Sequence, residues 1–250
     1  MRLLVSVSNP VEALAAIEGG ADIIDAKDPQ RGPLGPVTAE MLIRISDACR
    51  GRAPLTAALG DAPLEPDVAA GAARFASAGA GLVKLGFAGM QSESAIESAL
   101  REAVRGVRGE GSKAGVIAVA YADADGLNAP VSDVVLTVAM RAGVAGVLID
   151  TADKGGPGLR ALMATDQLKP WVERAHDAGL LVAAAGRLEA DDFVWVASLG
   201  VDIVGVRGAA CEAGRSSAVS EAKVSMLRAR CAAASQPQPC STARPAAAPA

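Results

Sequence analysis

Asp25 and Lys27 close the segment 21–27, ADIIDAK, two residues apart at the end of a short apolar run. On a strand, residues i and i+2 point the same way, so this carboxylate and this amine share one face. An amine at the C-terminal end of a buried strand can attack a carbonyl carbon to form a Schiff base, and a neighbouring acid can move protons. The same two residues also suit a strand-end salt bridge, and the stretch by itself leaves both readings open.

The remaining lysines sharpen the choice. Arginine outnumbers lysine 18 to 6, yet Lys27, Lys84 and Lys154 all fall at or just past the ends of apolar runs. Arginine keeps its proton at ordinary pH, whereas a desolvated lysine can lose it and become a nucleophile or base. Two ammonium groups held together in a dry site each disfavour the other's charge, which leaves one of them neutral near pH 7. Asp25 and Asp150 would then hold the remaining charge and shuttle protons. The competing reading is that Lys84 and Lys154 only pair with Asp25 and Asp150. Asp123 is a weaker candidate and reads as a structural loop carboxylate. His176, the single histidine, is expected to interact with the C-terminal end of its own helix. Cys211 reads as a packed thiol, because no histidine pairs with it in sequence. Histidines and cysteines do not cluster, so neither a transition-metal site nor another cofactor is expected.

These residues must be positioned by a regular scaffold. Apolar runs read as strands at 3–7, 21–27, 54–59, 82–87, 115–122, 146–151, 180–186 and 203–208, separated by helical patterns. The first helix is signalled by Ser8, Asn9 and Pro10 before it and by Gly19 and Gly20 after it. The runs show little alternation, as expected of strands covered on both faces. Eight such units predict an α/β fold, a single (β/α)8 TIM barrel over residues 1–233, with a disordered Pro/Ala-rich tail over 234–250. A doubly wound sheet is the runner-up, but the GxGxxG turn it would want after the first strand is absent. In such a barrel the interior layers draw on alternate strands, so Lys27, Lys84 and Asp150, on strands two, four and six, are expected to converge.

Composition narrows the partners. With 250 residues, 51% hydrophobic, there is material for one large core, and the net charge of −4 carries no basic run, so neither nucleic acid nor a membrane is expected as partner. No apolar stretch is long enough for a signal peptide or a spanning helix, and the four cysteines lack ligand spacing, which together predict a cytoplasmic protein with reduced thiols. The short motifs Ala-Gly-Arg at 185–187 and Arg-Gly-Ala-Ala at 207–210 follow the last two strands, where barrels commonly bind phosphate. Gly186, Gly208 and Ala209 would offer backbone N–H groups, and Arg187 and Arg207 charge-assisted hydrogen bonds. A homo-oligomer is expected on size alone.

The segments GGADIIDAKDPQRGPLG at 19–35, VKLGF at 83–87, YADA at 121–124, LIDTADK at 148–154 and DIVGVRGAAC at 202–211 resemble the (5-formylfuran-3-yl)methyl phosphate synthase family, over nearly the whole chain up to about residue 230. The resemblance implies a carbon–oxygen lyase acting on phosphates, which condenses two molecules of the phosphorylated triose glyceraldehyde 3-phosphate with loss of one phosphate and of water, toward methanofuran-type cofactors of one-carbon metabolism. It implies that Lys27 is the Schiff-base lysine, Lys84 the proton acceptor, and Asp25, Asp150 and Lys154 the supporting polar residues. The loop GGPGLRALM after Lys154 and the tail depart from the family pattern. Two phosphates need a second anion site, for which Lys154, Arg31 or an arginine of a neighbouring subunit would serve. Another Schiff-base aldolase, or a barrel that only binds phosphorylated metabolites, would use the same parts.

Overall fold

The computed structural model describes residues 1–62, 67–109 and 112–236. Eight parallel strands pair in sequence order and close on themselves: β1 (Arg2–Val7), β2 (Ile23–Ala26), β3 (Leu55–Asp61), β4 (Leu82–Gly86), β5 (Gly115–Tyr121), β6 (Gly146–Asp150), β7 (Leu181–Ala184) and β8 (Ile203–Val206). This is the expected (β/α)8 barrel, and each strand lies within or next to its expected run. The helices are α1 (Pro10–Glu18), α2 (Ala39–Cys49), α3 (Val68–Ser77), α4 (Glu93–Val107), α5 (Ser132–Ala142), α6 (Leu159–Leu162), α7 (Thr165–Asp177), α8 (Phe193–Ser198) and α9 (Glu221–Ala234).

Local chemistry explains where the helices start. The Asn9 side chain accepts from Glu12 N at 3.0 Å with Pro10 in the first turn, and Thr38 Oγ1 accepts from Met41 N at 3.1 Å. Gly19, just past α1, abuts α9: a Cβ there would lie 2.6 Å from Val224 Cβ and 2.7 Å from the Glu221 carbonyl oxygen. The short α6 falls inside the loop 155–163, where no helical period was legible because a single turn carries none.

Two expectations need adjusting, and a third, the structural reading of Asp123, agrees with the structure. Helix α9 runs to Ala234, one residue past the expected domain boundary, and residues 237–250 of the tail, with Cys240, lie outside the described residues. His176 does not turn to its helix end; its Nε2 lies 3.1 Å from Asp202 Oδ2, because Asp202, which also accepts from Val182 N, offers a carboxylate within reach. The Asp123 carboxylate accepts from Ala152 N and Asp153 N at 2.8 Å, so it holds the loop after β6 in place.

The barrel interior is graded from apolar to polar. Leu4, Ile23 and Ile203 plug its N-terminal end. Above them the layers change to Ser6, Asp25, Thr56 and Lys84, all buried. Ala183 and Gly205 face the same interior and leave room where larger side chains would fill it, so a cavity of about 450 Å³ opens from the polar layer to the C-terminal mouth.

Candidate active site

Strand register assembles the centre of the cavity. Ser6 of β1 and Thr56 of β3 stand opposite Asp25 of β2 in the two ladders that flank it. Both hydroxyls donate to the Asp25 carboxylate, Ser6 Oγ to Oδ2 at 2.9 Å and Thr56 Oγ1 to Oδ1 at 2.7 Å. Lys84 Nζ of β4 completes the set at 2.5 Å from Oδ1. Burial alone would raise the Asp25 pKa, but Lys84 and Lys27, with the hydrogen bonds from Lys84 and Thr56, outweigh it and hold the carboxyl below its ordinary value. Asp25 is therefore a fixed anion, oriented on three sides.

Asp150, at the end of β6, organises a second pair. Its Oδ1 accepts from Thr151 N at 2.8 Å and from Lys154 Nζ at 2.7 Å, and Lys154 also donates to the Thr151 carbonyl. Burial works against its charge as well, and Lys154 and Lys27 again tip the balance, so Asp150 too titrates below its ordinary value. Both ion pairs named by the competing reading thus exist. Of Lys27, Lys84 and Lys154 they leave one amine over.

That amine is Lys27, one residue past β2. Among the described residues its Nζ has a single hydrogen-bond acceptor, the Pro33 carbonyl at 3.4 Å, and no carboxylate within ion-pair distance. Burial lowers its pKa first; Asp150 and Asp25 raise it, Lys84 and Lys154 lower it, and it ends at about 8. Burial and the neighbouring Lys84 and Lys154 charges thus bring the Lys27 amine within reach of neutrality near pH 8.

Lys27, Lys84, Asp25, Asp150 and Lys154 all line one cavity, together with Gly186, Arg187, Arg207, Gly208 and Ala209 from the turns after β7 and β8. The structure brings these ten residues to one place, but not with the expected partners, whereas Arg31, offered for the second phosphate, is not among the lining residues and donates from Nη1 to the Pro36 carbonyl at 2.9 Å. Gly186 adopts φ 106°, and a Cβ there would lie 2.9 Å from Thr151 Cγ2, so only glycine fits. Arg187 follows at φ 55°, and its Nη1 donates to the Gly156 carbonyl, which straps the β6 loop to the β7 turn. Arg207 is buried, and four of its five N–H donors are taken: Nη1 by the Ser6 carbonyl and Glu12 Oε2, Nη2 by Glu12 Oε1, and Nε by the Arg215 carbonyl. Its guanidinium is committed to the protein.

Several participants carried little signal in the sequence. Ser6 and Thr56 were detectable as lone hydroxyls in otherwise apolar runs. Glu12 lies on a helix face with nothing to mark it as buried, and Arg215, Glu189 and Lys223 line the cavity from loop, turn and helix positions that follow no pattern. Among the described residues no group of three or more His, Cys, Asp or Glu side chains could hold a metal ion, and no helix is long and apolar enough to cross a membrane.

Fold and cavity define a (β/α)8 barrel of the enzyme type, its cavity lined by Lys27, Lys84 and Lys154 and by the fixed carboxylates of Asp25 and Asp150. The chain belongs to the family described as 4-HFC-P synthase, whose profile matches residues 3–228. It is 36% identical over 234 residues to the (5-formylfuran-3-yl)methyl phosphate synthase of Methanosarcina mazei, covering 93% of this chain and 100% of the relative. To the synthase of Methanopyrus kandleri it is 39% identical over 214 residues, covering 85% and 90%. A solved 3-hexulose-6-phosphate synthase superposes with TM-score 0.61 at 20% identity, covering 92% of this chain and 99% of that one, and shares the fold.

Proposed function

We propose that the protein condenses two molecules of glyceraldehyde 3-phosphate to (5-formylfuran-3-yl)methyl phosphate through a Schiff base on Lys27, as a carbon–oxygen lyase of methanofuran-type cofactor synthesis. The observation that carries this reading is Lys27 itself, which, unlike Lys84 and Lys154, has no carboxylate partner and has its pKa brought down to about 8. In the proposed sequence neutral Lys27 attacks the aldehyde carbon of one triose phosphate, the Lys84 ammonium gives its proton to the departing hydroxyl, and water leaves, giving an iminium and a neutral Lys84. Lys84 takes the proton from the adjacent carbon, the iminium accepts the electron pair, and phosphate departs from the next carbon. The resulting nucleophilic carbon attacks the aldehyde of the second triose phosphate. Ring closure, dehydration and hydrolysis of the imine then release the furan and restore Lys27. Two trioses lose one phosphate and two waters in all.

The carboxylates support these steps from fixed positions. Asp25 holds Lys84 at 2.5 Å and is itself held by Ser6 and Thr56, so it can accept charge without moving. Asp150 holds Lys154 at 2.7 Å at the mouth, where the leaving oxygens would sit.

The test is intact mass after incubation with glyceraldehyde 3-phosphate and borohydride, for wild type and Lys27→Ala, with product analysis in a parallel reaction without reductant. A reduced adduct on the wild type only, with a furan aldehyde phosphate in the parallel tube, is the expected result. An adduct without the furan assigns the protein to Schiff-base aldolases of another sugar phosphate, and no adduct removes the covalent mechanism.

A further inference from the structure

The sequence offers Arg207 as the guanidinium of the β8 phosphate turn, but its position in the structure argues against that role. It is buried, its charge is met by both oxygens of Glu12 at 3.0 and 3.2 Å, and Glu12 is in turn fixed by Ser8 N at 2.7 Å and Ser8 Oγ at 3.0 Å. A guanidinium so neutralised has little left for an anion. Eight residues on, Arg215 is in the opposite state. It is half-buried and lines the cavity, and among the described residues no carboxylate lies within ion-pair distance of it. Among the described residues its side chain makes one hydrogen bond, a long one, Nη2 to the Gly32 carbonyl at 3.4 Å. Burial and the adjoining Arg207 charge both lower its pKa from the ordinary arginine value, as expected of a cation short of counter-charge.

The two arginines are mechanically linked. Arg207 Nε donates to the Arg215 carbonyl at 2.6 Å, so the Glu12–Arg207 pair fixes the backbone that carries Arg215. Arg215 also flanks the turn: a Cβ built on Gly208 would lie 3.9 Å from its N and its Cβ. Gly208 and Ala209 donate their N–H groups to no acceptor among the described residues. At its other end Arg215 reaches Gly32, next to the Pro33 whose carbonyl accepts from Lys27. An open guanidinium beside two open N–H groups suits a tetrahedral phosphate dianion, which accepts from several directions.

We infer that Arg215 is the residue that binds the substrate phosphate at the β8 turn, and that Arg207, held by Glu12, is a positioning residue that aims it. This rests on the phosphorylated-substrate reading above but not on the Schiff base. Two measurements on the full-length protein separate them: calorimetric titration with inorganic phosphate, and the concentration dependence of borohydride trapping with glyceraldehyde 3-phosphate and with unphosphorylated glyceraldehyde. Arg215→Gln is expected to weaken phosphate binding and raise the half-saturating triose phosphate by about tenfold or more, with glyceraldehyde trapping unchanged; Arg215→Lys should retain part of the affinity. Arg207→Lys is expected to raise KM and leave kcat near wild type. Wild-type phosphate affinity in Arg215→Gln, or no phosphate binding by the wild type, overturns the inference. If phosphate binding falls as expected but neither aldehyde is trapped on the wild type, the anion site stands and the Schiff-base mechanism fails.

Discussion

Lys27 is held in the folded protein against its own preference for charge. Its pKa of about 8 lies below the value of 10.5 for a solvated lysine, so folding is opposed wherever the unfolded chain keeps a proton more readily than the native one. Below pH 8 both states are protonated and the whole penalty is present. Between pH 8 and 10.5 the native amine is neutral while the unfolded one is charged, and stability rises with pH as the unfolded state too gives up its proton. The gap corresponds to on the order of 3 kcal/mol. Lys27→Met, which keeps the volume and removes the charge, is therefore expected to raise the melting temperature by several degrees at pH 7, with the gain fading between pH 8 and 10.5. Thermal unfolding of both proteins across that range checks it, and a melting temperature lowered at pH 7 contradicts it. The same residue was legible in the sequence because lysine is scarce in this arginine-rich chain and because Asp25 sits two positions before it. Its lack of a partner was not legible, since that depends on Lys84 and Lys154 taking the two carboxylates first.

At the scale of elements, the mouth is held by clasps between loops that are distant in sequence. Glu12 of α1 and Arg207 after β8 join the first turn of the barrel to the last, and both are buried. Glu12→Gln keeps the shape and some hydrogen bonding but strands a buried cation, which is expected to destabilise the fold by about 3 kcal/mol, measurable as a lowered urea midpoint. A second clasp joins β3, β4 and β5. Tyr121 Oη donates to Asp61 Oδ1 at 2.9 Å, Ala88 N donates to the same oxygen at 3.0 Å, and the pair closes over Gly86. A Cβ on Gly86 would lie 2.2 Å from Asp61 Oδ1, 2.7 Å from Leu34 Cδ1 and 2.9 Å from Tyr121 Oη. The carboxylate cannot retreat without losing both donors, so Gly86→Ala is expected to cost about 1–3 kcal/mol. It should also slow trapping at Lys27, because the displaced Leu34 adjoins Pro33, whose carbonyl accepts from the lysine. Unchanged trapping kinetics in a destabilised Gly86→Ala would separate the clasp from the site. Neither clasp is visible in the linear chain. Asp61 and Tyr121 are 60 residues apart and Glu12 and Arg207 are 195 apart, and only barrel closure brings them together.

For the whole molecule, closure is the decisive event, and it shows which part of the chain the barrel requires. The repeating apolar runs are enough to predict eight strands and their order, because each run is buried on both faces and carries its own helix. Closure itself joins Arg2, Leu3, Leu4 and Val5 to Ile203, Val204, Gly205 and Val206. Helix α9 then covers the seam, with Val224, Leu227 and Cys231 fully buried and Gly19 packed against Val224. All of these contacts are complete by residue 234, and the sequence beyond Gln236, rich in Pro and Ala, contains no large apolar side chain. Ending the chain at Gln236 is therefore expected to leave the urea midpoint and the triose phosphate reaction unchanged, the change in stability staying within about 0.5 kcal/mol. Ending it at Ser220 removes the three buried side chains and bares the α1 and β1 surfaces beneath them. At about 1.5–3 kcal/mol for a fully buried Val or Leu, that loss approaches the whole margin of a folded domain. The shorter chain is expected to be insoluble or to lose cooperative unfolding, and a cooperative transition in it, or a large shift in the longer one, would place the end of the folded unit elsewhere.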